Sequence, residues 1–408
     1  MSSLALEYHR SPGRFLAARG LSRTRSRVGG TLAGALAPLR LVRNGDPELP
    51  KGDGWTRVSP TLSGICGSDL GLLHGTASPY LGPLTSPPFV LGHEVVGTTL
   101  DDLPGIAKGT RVVLDSVLSC RVRGLPPCES CQEGQTNRCD HITSGHLAPG
   151  LQTGFCADTG GGWSQRMVAH EEQLHPIPDS LSDQRAVLVE PLACAIHSVR
   201  RVPIPPGASV LVVGAGTVGL FTVLALRQLT EAGSIHVVAK YRHQQEKARQ
   251  LGATEVVEPG RALRAVRRMT SALAHRPEIG SEFLLGGADF AFECTGGSSG
   301  LDTALRSVRA GGTVLLSGMP TAGADLTPLW FRELNLVGAY ATRQREPGGP
   351  EEDTSSDFAK AVALAASAPL DGYVERYPLH HWRQALEHAS SAGSAGSIKI
   401  AFDLSLEG

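Results

Sequence analysis

Half of the eight cysteines in this 408-residue chain lie between residues 120 and 139. Four thiolates from one short segment can close a tetrahedron around zinc and leave no open coordination position, which is the form of a structural site. A Cys-x2-Cys pair within the segment is a common zinc knuckle. The alternative is a set of unrelated buried thiols or a disulfide pair, but the clustering favours zinc. The predicted ligands are Cys120, Cys128, Cys131 and Cys139.

A second set of metal-ligand residue types is dispersed along the chain. Cys66 lies in GICGSD, His93 and Glu94 lie in FVLGHEVVG, and Glu190 lies in LVEPL. One sulfur, one nitrogen and one or two oxygens suit a zinc ion that keeps a position for water or substrate. Each residue alone is weak evidence, because an isolated cysteine or histidine is more often a core or surface residue. Their combination and order predict a catalytic metal site.

A glycine-rich turn between an apolar strand and an apolar helix predicts a dinucleotide site. The run SVLVV ends at residue 213, and GAGTVG follows it. In such a unit the first glycine permits the tight turn, the second lets the backbone approach the pyrophosphate, and the third lets the helix pack on the strand. The N-terminus of the helix offers free N–H groups to phosphate. The predicted cofactor-binding residues are Gly214, Gly216, Thr217, Val218 and Gly219.

The end of the next strand indicates which nicotinamide cofactor binds. A carboxylate is expected there if the ribose carries only hydroxyls, but the strand ends in Ala239. Lys240 and Arg242 follow, and they can bind a 2′-phosphate as a point charge and as a fork. The alternative is an ordinary basic start to a solvated helix over residues 244–251. The sequence favours NADP(H) over NAD(H).

The order of these motifs resembles that of the zinc-containing medium-chain alcohol and polyol dehydrogenases. The resemblance covers about residues 55–408 and is carried by GICGSD, FVLGHEVVG, the four-cysteine segment, GAGTVG and AGGTVLLSG. It is most similar to the polyol and threonine dehydrogenase branch, because EPL stands where simple alcohol dehydrogenases have a cysteine ligand. The resemblance implies an α/β fold class, with a GroES-like β-rich catalytic domain plus a doubly wound Rossmann domain.

The resemblance also implies roles for individual side chains. Ser68 would hydrogen-bond the reacting alcohol oxygen and pass its proton outward. Asp69 would accept a hydrogen bond from the far nitrogen of His93, unless it is only a turn or cap residue. Lys399 would reach the pyrophosphate, unless it is only an edge-strand lysine. The catalytic zinc would be bound by Cys66 and His93, with Glu94 and Glu190 as variable carboxylate ligands, direct or through water.

Two departures from the family pattern stand out. The family separates its first two structural cysteines by two residues, whereas seven residues separate Cys120 from Cys128 here. These residues include glycine and two prolines, so they can form a bulging loop; otherwise Cys120 is not a ligand. Many family members also end their proton relay in a histidine five residues beyond the catalytic cysteine, where this chain has Gly71. His74 is near in sequence, but the role is not assigned to it.

The motifs predict two domains. Residues 1–197 and 339–408 would form the catalytic zinc-binding GroES-like domain, and residues 198–338 the NAD(P)-binding Rossmann domain, since strand and helix alternate there. Ser3–Tyr8 reads as the first strand of the catalytic domain. The arginine-rich stretch at 20–37 is expected to be partly mobile, and Gln344–Asp357 to be a surface loop.

Composition excludes several functional classes. The formal net charge is −1, with 41% hydrophobic and 19% charged residues, so there is no electrostatic case for nucleic acid or an anionic membrane. No apolar run approaches the roughly 20 residues of a spanning helix. The first 43 residues are arginine-rich and could mimic a transit peptide, but a first strand explains them better. Cysteines that serve as metal ligands and core thiols fit a reducing compartment, and a cytoplasmic location is expected.

The sequence therefore predicts a zinc-dependent alcohol dehydrogenase with two zinc ions and NADP(H). It would transfer a hydride between a small alcohol or polyol, or the corresponding ketone or aldehyde, and the nicotinamide. The family resemblance implies a homodimer or homotetramer. One alternative is zinc-free double-bond reduction on the same fold, although such relatives usually lack the cysteine segment and GHE. The other is a non-catalytic binding protein, which the absent relay histidine keeps open.

Overall fold

The computed structural model describes residues 3–22, 38–320, 323–343 and 356–406. The chain divides into two compact units, one formed by the residues up to Glu190 together with those from Thr342 onward, the other by Pro191–Ala341. The expected boundaries fall a few residues from these positions. Most of the stretch at 20–37 and of the loop at 344–357 lies outside the described residues.

The N-terminal part of the first unit is rich in short strands. Its first strand spans Ser3–Tyr8, as the sequence predicted. The strands are β1 Ser3–Tyr8, β2 Leu39–Asn44, β3 Trp55–Gly64, β4 Phe89–Val90, β5 Val95–Thr99, β6 Arg111–Leu114, β7 Met167–His170 and β8 Leu174–Pro176. The helices are α1 Pro12–Ser22, α2 Gly67–Leu73, α3 Glu129–Gln132 and α4 Asp183–Ala186; the next helix, α5 Val189–Arg200, begins at the last two residues of this part and belongs mostly to the second unit.

The second unit alternates strand and helix. Its strands are β9 Ser209–Val213, β10 Ser234–Val238, β11 Glu255–Val257, β12 Leu273–His275, β13 Phe283–Leu285, β14 Ala288–Glu293, β15 Val308–Leu316 and β16 Asn335–Gly338. Its helices are α6 Thr217–Leu229, α7 Arg242–Gln250, α8 Ala262–Thr270, α9 Ser298–Ser307 and α10 Thr327–Phe331. The chain then returns to the first unit with α11 Asp357–Ser367, β17 Val374–Pro378, α12 Trp382–Ala395 and β18 Lys399–Asp403.

Two sheets organise the first unit. One has the order β2-β1-β4, and the other has the order β17-β18-β3-β5-β6-β8, with β7 pairing β3. The strand β18 from the C-terminal end of the chain pairs with β3 antiparallel, with Ala401 opposite Gly64. A core that includes Trp163, Phe402 and Ile400 lies beside this junction. Residues separated by more than 300 positions in sequence are thereby brought to the same end of β3.

The second unit is built on a six-stranded parallel sheet in the order β11-β10-β9-β14-β15-β16. This is the doubly wound order 3-2-1-4-5-6 of dinucleotide-binding folds. The strand β9 is a β-branched and leucine run whose residues 210–213 are buried, as expected for a parallel strand covered on both faces. Among the described residues, no helix is both long enough and apolar enough to cross a membrane.

Candidate functional site

Three of the four predicted catalytic ligands lie close together in the first unit. One ligand atom each from Cys66, His93 and Glu94 lies within 4.8 Å of the other two. His93 and Glu94 are buried, and Cys66 is partly exposed. A thiol, an imidazole and a carboxylate at this spacing fit a zinc ion with an open position.

Local structure explains the placement of these three side chains. Cys66 immediately precedes α2, and its N–H donates to Asp69 Oδ2 at 2.9 Å. His93 and Glu94 lie in the short connection between β4 and β5. At Gly64 a Cβ atom would lie 1.9 Å from Glu94 Oε2, so a glycine is required there for the carboxylate to reach the site.

Asp69 is fully buried beside the imidazole of His93. Asp69 Oδ1 lies 3.5 Å from His93 Nδ1, a little too long for a hydrogen bond. Burial raises the pKa of Asp69 to about 6, although the His93 ring opposes the shift. For His93, burial favours the neutral ring, but Asp69 and Cys66 outweigh it and raise the pKa above its usual value. The carboxylate therefore accepts from the backbone before α2 with one oxygen and faces Nδ1 of His93 with the other.

The Ser68 hydroxyl is buried without a hydrogen-bond partner among the described residues. A buried polar atom of this kind costs free energy unless something bonds it. His74 does not complete a relay to it, because its Nε2 lies 3.3 Å from Ser390 Oγ on α12. A buried hydroxyl two residues after Cys66 is compatible with the substrate contact that the family resemblance implies for Ser68.

Lys399 makes contacts that the family resemblance does not predict. Its ammonium group is buried, ion-pairs with Glu94, and donates to the Ile65 carbonyl at 3.2 Å. Burial disfavours this charge, but Glu94 and Cys66 outweigh it and raise the pKa of Lys399. A contact with a pyrophosphate stays a prediction, and it would require the pair with Glu94 to open. Nothing in the sequence around position 399 indicates that Glu94 is its partner.

Glu190, the remaining predicted ligand, is not a member of the group that meets within 4.8 Å. It is the second residue of α5 and is 7% exposed. Its charge is close enough to act on His93 and Lys399. Its role as a ligand, direct or through water, stays a prediction.

The four cysteines of the predicted structural site also converge. Their sulfur atoms all lie within 4.8 Å of one another, so the longer connection does not displace Cys120 from the cluster. Cys128 immediately precedes α3, and Cys131 lies within it. We refer to residues 120–139 as the thiolate lobe. The four sulfurs fit a closed zinc site.

The connection from Cys120 to Cys128 is anchored by a residue that sequence reasoning missed. Arg123 is fully buried. Its guanidinium group donates to five backbone carbonyls, those of Leu118, Ser144, Leu147, Ala148 and Gly150, at 2.6–3.3 Å. All three guanidinium nitrogens take part, with Nη1 shared among three of the carbonyls. The connection is therefore fixed from inside rather than bulging freely as its glycine and prolines suggested.

The glycine turn of the second unit has an open edge. Gly214 has φ +100°, which favours glycine, and Gly216 caps α6. A Cβ at Gly219 would lie 2.0 Å from the Gly214 carbonyl oxygen, so this position must stay glycine for helix and strand to pack. A Cβ at Gly216 would meet nothing within 4 Å. Gly216 thus leaves room beside the N-terminus of α6, where Thr217 and Val218 form the first turn, and this room fits a pyrophosphate.

A buried alanine and two exposed cations follow β10. Ala239 is buried, and Lys240 lies over the ring of Tyr241, with 5.3 Å from its Nζ to the centroid. Arg242 begins α7, two residues earlier than expected, and its Nε lies 2.9 Å from Glu246. Its side chain is 92% exposed. Both cations are accessible, and their role toward a 2′-phosphate stays a prediction.

Comparisons with known proteins agree with this architecture. The profile of the alcohol dehydrogenase GroES-like domain matches residues 52–179, and that of zinc-binding dehydrogenases matches residues 217–367. The chain is 29% identical to a sorbitol dehydrogenase of Bacillus subtilis over 336 residues, which cover 80% of this chain and 84% of the relative. It is 28% identical to an L-idonate 5-dehydrogenase of Vitis vinifera over 346 residues, with 84% and 86% coverage.

A solved structure shares the whole fold. It is a zinc-binding dehydrogenase of Sinorhizobium meliloti bound to NADP, with a TM-score of 0.68, 24% identity, and 99% coverage of both chains. The first profile covers Cys66, His93, Glu94 and the four-cysteine segment, and the second begins at Thr217 in the nucleotide turn. We conclude that this chain belongs to the zinc-containing medium-chain alcohol and polyol dehydrogenases and is a zinc-dependent oxidoreductase that uses a nicotinamide cofactor.

Proposed function

We propose that this enzyme transfers a hydride between the hydroxyl-bearing carbon of a polyol or secondary alcohol and NADP(H), with two zinc ions per chain. The observation that carries the proposal is the Cys66–His93–Glu94 group, together with the buried hydroxyl of Ser68, which follows Cys66 by two residues and has no hydrogen-bond partner among the described residues. Zinc in this group would polarise the substrate oxygen and lower the pKa of the alcohol. NADP would take up the hydride during oxidation.

The residues of the chain have distinct tasks. Cys66 and His93, with Glu94 or Glu190, would hold the metal. Ser68 Oγ accepts a hydrogen bond from the alcohol and then its proton, and it returns the proton during ketone reduction. Asp69 keeps the imidazole of His93 oriented, as carboxylates beside metal-bound histidines do. Gly71 leaves the relay without its usual final histidine, so the proton passes from Ser68 to water.

Lys399 sets the charge balance of the site. A thiolate and up to two carboxylates surround one metal position, and the buried ammonium group offsets one of these charges. The pyrophosphate contact expected of Lys399 remains part of this proposal, and it would require the ion pair with Glu94 to open.

The second zinc would lie in the thiolate lobe. Cys120, Cys128, Cys131 and Cys139 offer four sulfurs and no open position, so this metal would contribute to folding and not to the reaction. The closed donor set supports this assignment.

NADP(H) is proposed over NAD(H) because no carboxylate follows β10 and two accessible cations do. The polyol class is proposed because the similar proteins named above are sorbitol and idonate dehydrogenases. A homodimer or homotetramer and a cytoplasmic location belong to the same proposal. All eight cysteines are free in the structure, which suits a reducing compartment.

Metal analysis combined with an alcohol screen tests the proposal. Two equivalents of zinc per chain and zinc-dependent oxidation of a polyol with NADP are expected. A content of one zinc ion per active chain would contradict the assignment of a second zinc to the thiolate lobe. NADPH consumption with an enone but with no alcohol or ketone would favour a double-bond reductase. Zinc and NADPH binding without any turnover would favour a binding protein.

A further inference from the structure

Cys120, the most buried cysteine of the thiolate lobe, contacts a side chain that is not one of the four predicted zinc ligands. Cys120 Sγ lies 3.2 Å from Nδ1 of His141 and 3.5 Å from Cys139 Sγ. Cys120 itself is fully buried. The imidazole therefore approaches a thiolate as closely as a hydrogen-bond donor would.

His141 is held in place by a second contact with the lobe. Its backbone N–H donates to Cys139 Sγ at 3.4 Å, and it follows this cysteine by only two residues. The backbone N–H of His141 thus bonds Cys139 Sγ, and its ring contacts Cys120 Sγ. Cys120 also accepts from the N–H of Cys128 at 3.3 Å.

Hydrogen-bond donors to these sulfur atoms would offset the negative charge of a zinc-loaded lobe. Four thiolates around one divalent zinc carry two net negative charges, and buried charge is costly unless polar groups solvate it. Hydrogen bonds to ionised groups are among the stronger ones. Arg123 brings a positive charge into the lobe, but the hydrogen bonds of its guanidinium group that the structure shows go to backbone carbonyls and not to a sulfur. A side-chain donor to Cys120 is therefore left to His141.

We propose that His141 is a positioning residue of the thiolate lobe, whose Nδ1–H donates to the Cys120 thiolate and slows loss of the metal. The inference rests on the proposed zinc of the lobe. It assigns His141 no contact with the metal and no part in hydride transfer. Partners of metal ligands typically change metal affinity about 10–100-fold when they are removed, and an effect of that size is expected here.

The test uses the full chain with Cys66→Ala, so that the lobe is the only metal site that contains thiolates. The protein is loaded with Co²⁺, and the cobalt–thiolate absorption then reports the lobe alone. Three forms are compared: His141 unchanged, His141→Asn and His141→Leu. Asparagine places an N–H near the position of Nδ1, whereas leucine keeps the bulk and lacks the donor. The measurement is the rate at which excess chelator bleaches the band, with far-UV circular dichroism as the folding control.

We expect His141→Leu to lose Co²⁺ about 10–100-fold faster with an unchanged band position, and His141→Asn to restore most of the retention. Equal rates in all three forms would overturn the inference. It would also be overturned if Cys120→Ser kept the metal while His141→Leu with Cys120→Ser lost it, because His141 would then be a ligand. A lobe that binds no Co²⁺ in any form would refute the proposed second zinc as well, whereas activity with alcohols tests the reaction separately.

Discussion

Lys399 forms a buried ion pair with Glu94, a residue of the candidate catalytic metal group, and the two are 305 positions apart in sequence. Both side chains are almost inaccessible, at 3% and 1% exposure. The pairing of β18 with β3 brings them together. The folding of the first unit and the charge of its metal site therefore depend on the same contact.

Removal of the lysine charge should cost stability. Lys399→Met leaves the Glu94 carboxylate buried without its partner, and breaking such a pair typically costs about 3–5 kcal/mol. Lys399→Arg is the matched control, because it keeps the positive charge and should lose less stability than Lys399→Met. Urea unfolding of both variants measures the difference. If Lys399→Met unfolds like the wild type but has a higher KM for NADP, the lysine serves the pyrophosphate instead.

The narrow space at the end of β3 predicts a sharp difference between two neighbouring glycines. Gly64→Ala would place a Cβ 1.9 Å from Glu94 Oε2, whereas Gly67→Ala meets nothing within 4 Å. We expect Gly64→Ala to displace Glu94 and to lower both zinc content and kcat/KM at least about tenfold. Gly67→Ala should keep its zinc content and fold. Equal zinc content in the two variants would show that Glu94 is dispensable for the metal.

The sequence predicted the local parts of this molecule well and the long-range parts poorly. β1 and β9 were predicted with the bounds that the structure shows, β1 from its place in the family pattern and β9 because it is a short β-branched run before a glycine turn. The convergence of the four cysteines was also predicted, since their spacing confines them to one segment. Neither prediction required knowledge of strand register.

Contacts that depend on register or on a buried charge were missed. Lys399 was read as a pyrophosphate or edge-strand residue, because nothing near position 399 identifies Glu94 as its partner. Arg123 was read only as part of a loop, although it is fully buried. A buried guanidinium group is recognisable only once the carbonyls around it have been positioned. His141 was overlooked, although its place two residues after a ligand cysteine was a signal within reach.

The two metal groups should respond differently to loss of one sulfur. Cys128→Ser removes a ligand of the closed site and should lower stability or solubility, because a structural zinc contributes folding free energy directly. Cys66→Ala should leave the fold largely intact and abolish turnover. Zinc content, thermal unfolding and kcat, measured on both variants, separate these effects. A Cys128→Ser variant with full stability would indicate that the Arg123 anchor alone holds the lobe.

Asp115 should give the protein a stability that falls as the pH rises. Burial raises its pKa to about 7, although hydrogen bonds from Val117 and Thr342 oppose the shift. A folded pKa above the unfolded value of 3.8 means that the native state holds the proton more tightly. Stability contributed by this group is therefore present below about pH 4 and is lost as the pH rises toward 7.

Asp115→Asn removes this penalty, so the variant should gain stability relative to the wild type between pH 5 and pH 8. Asp289→Asn is a control of opposite type. Burial opposes ionisation of Asp289, but Arg309 and Ser209 outweigh it and lower the pKa, so its effect should not change over the same range. Urea unfolding of the wild type and both variants at pH 5 and at pH 8 measures these differences in stability. A constant difference between Asp115→Asn and wild type would show that Asp115 does not titrate in this window.

The cofactor preference should follow the two cations after β10. Replacement of Lys240 and Arg242 by neutral residues should weaken NADPH far more than NADH, because the 2′-phosphate loses charge-assisted hydrogen bonds worth about 1.5–3 kcal/mol each. Arg242 pairs with Glu246 at an exposed position, and such a pair contributes little to stability. The fold should therefore tolerate the change.

The addition of Ala239→Asp should then favour NADH, because a carboxylate accepts hydrogen bonds from the ribose hydroxyls and repels a phosphate. Ala239 is buried, so the double variant without this substitution is the necessary control for stability. The measurement is kcat/KM with each cofactor for wild type, double and triple variants. A wild-type enzyme that already prefers NADH would contradict the assignment, and Lys240 and Arg242 would then be only the solvated start of α7.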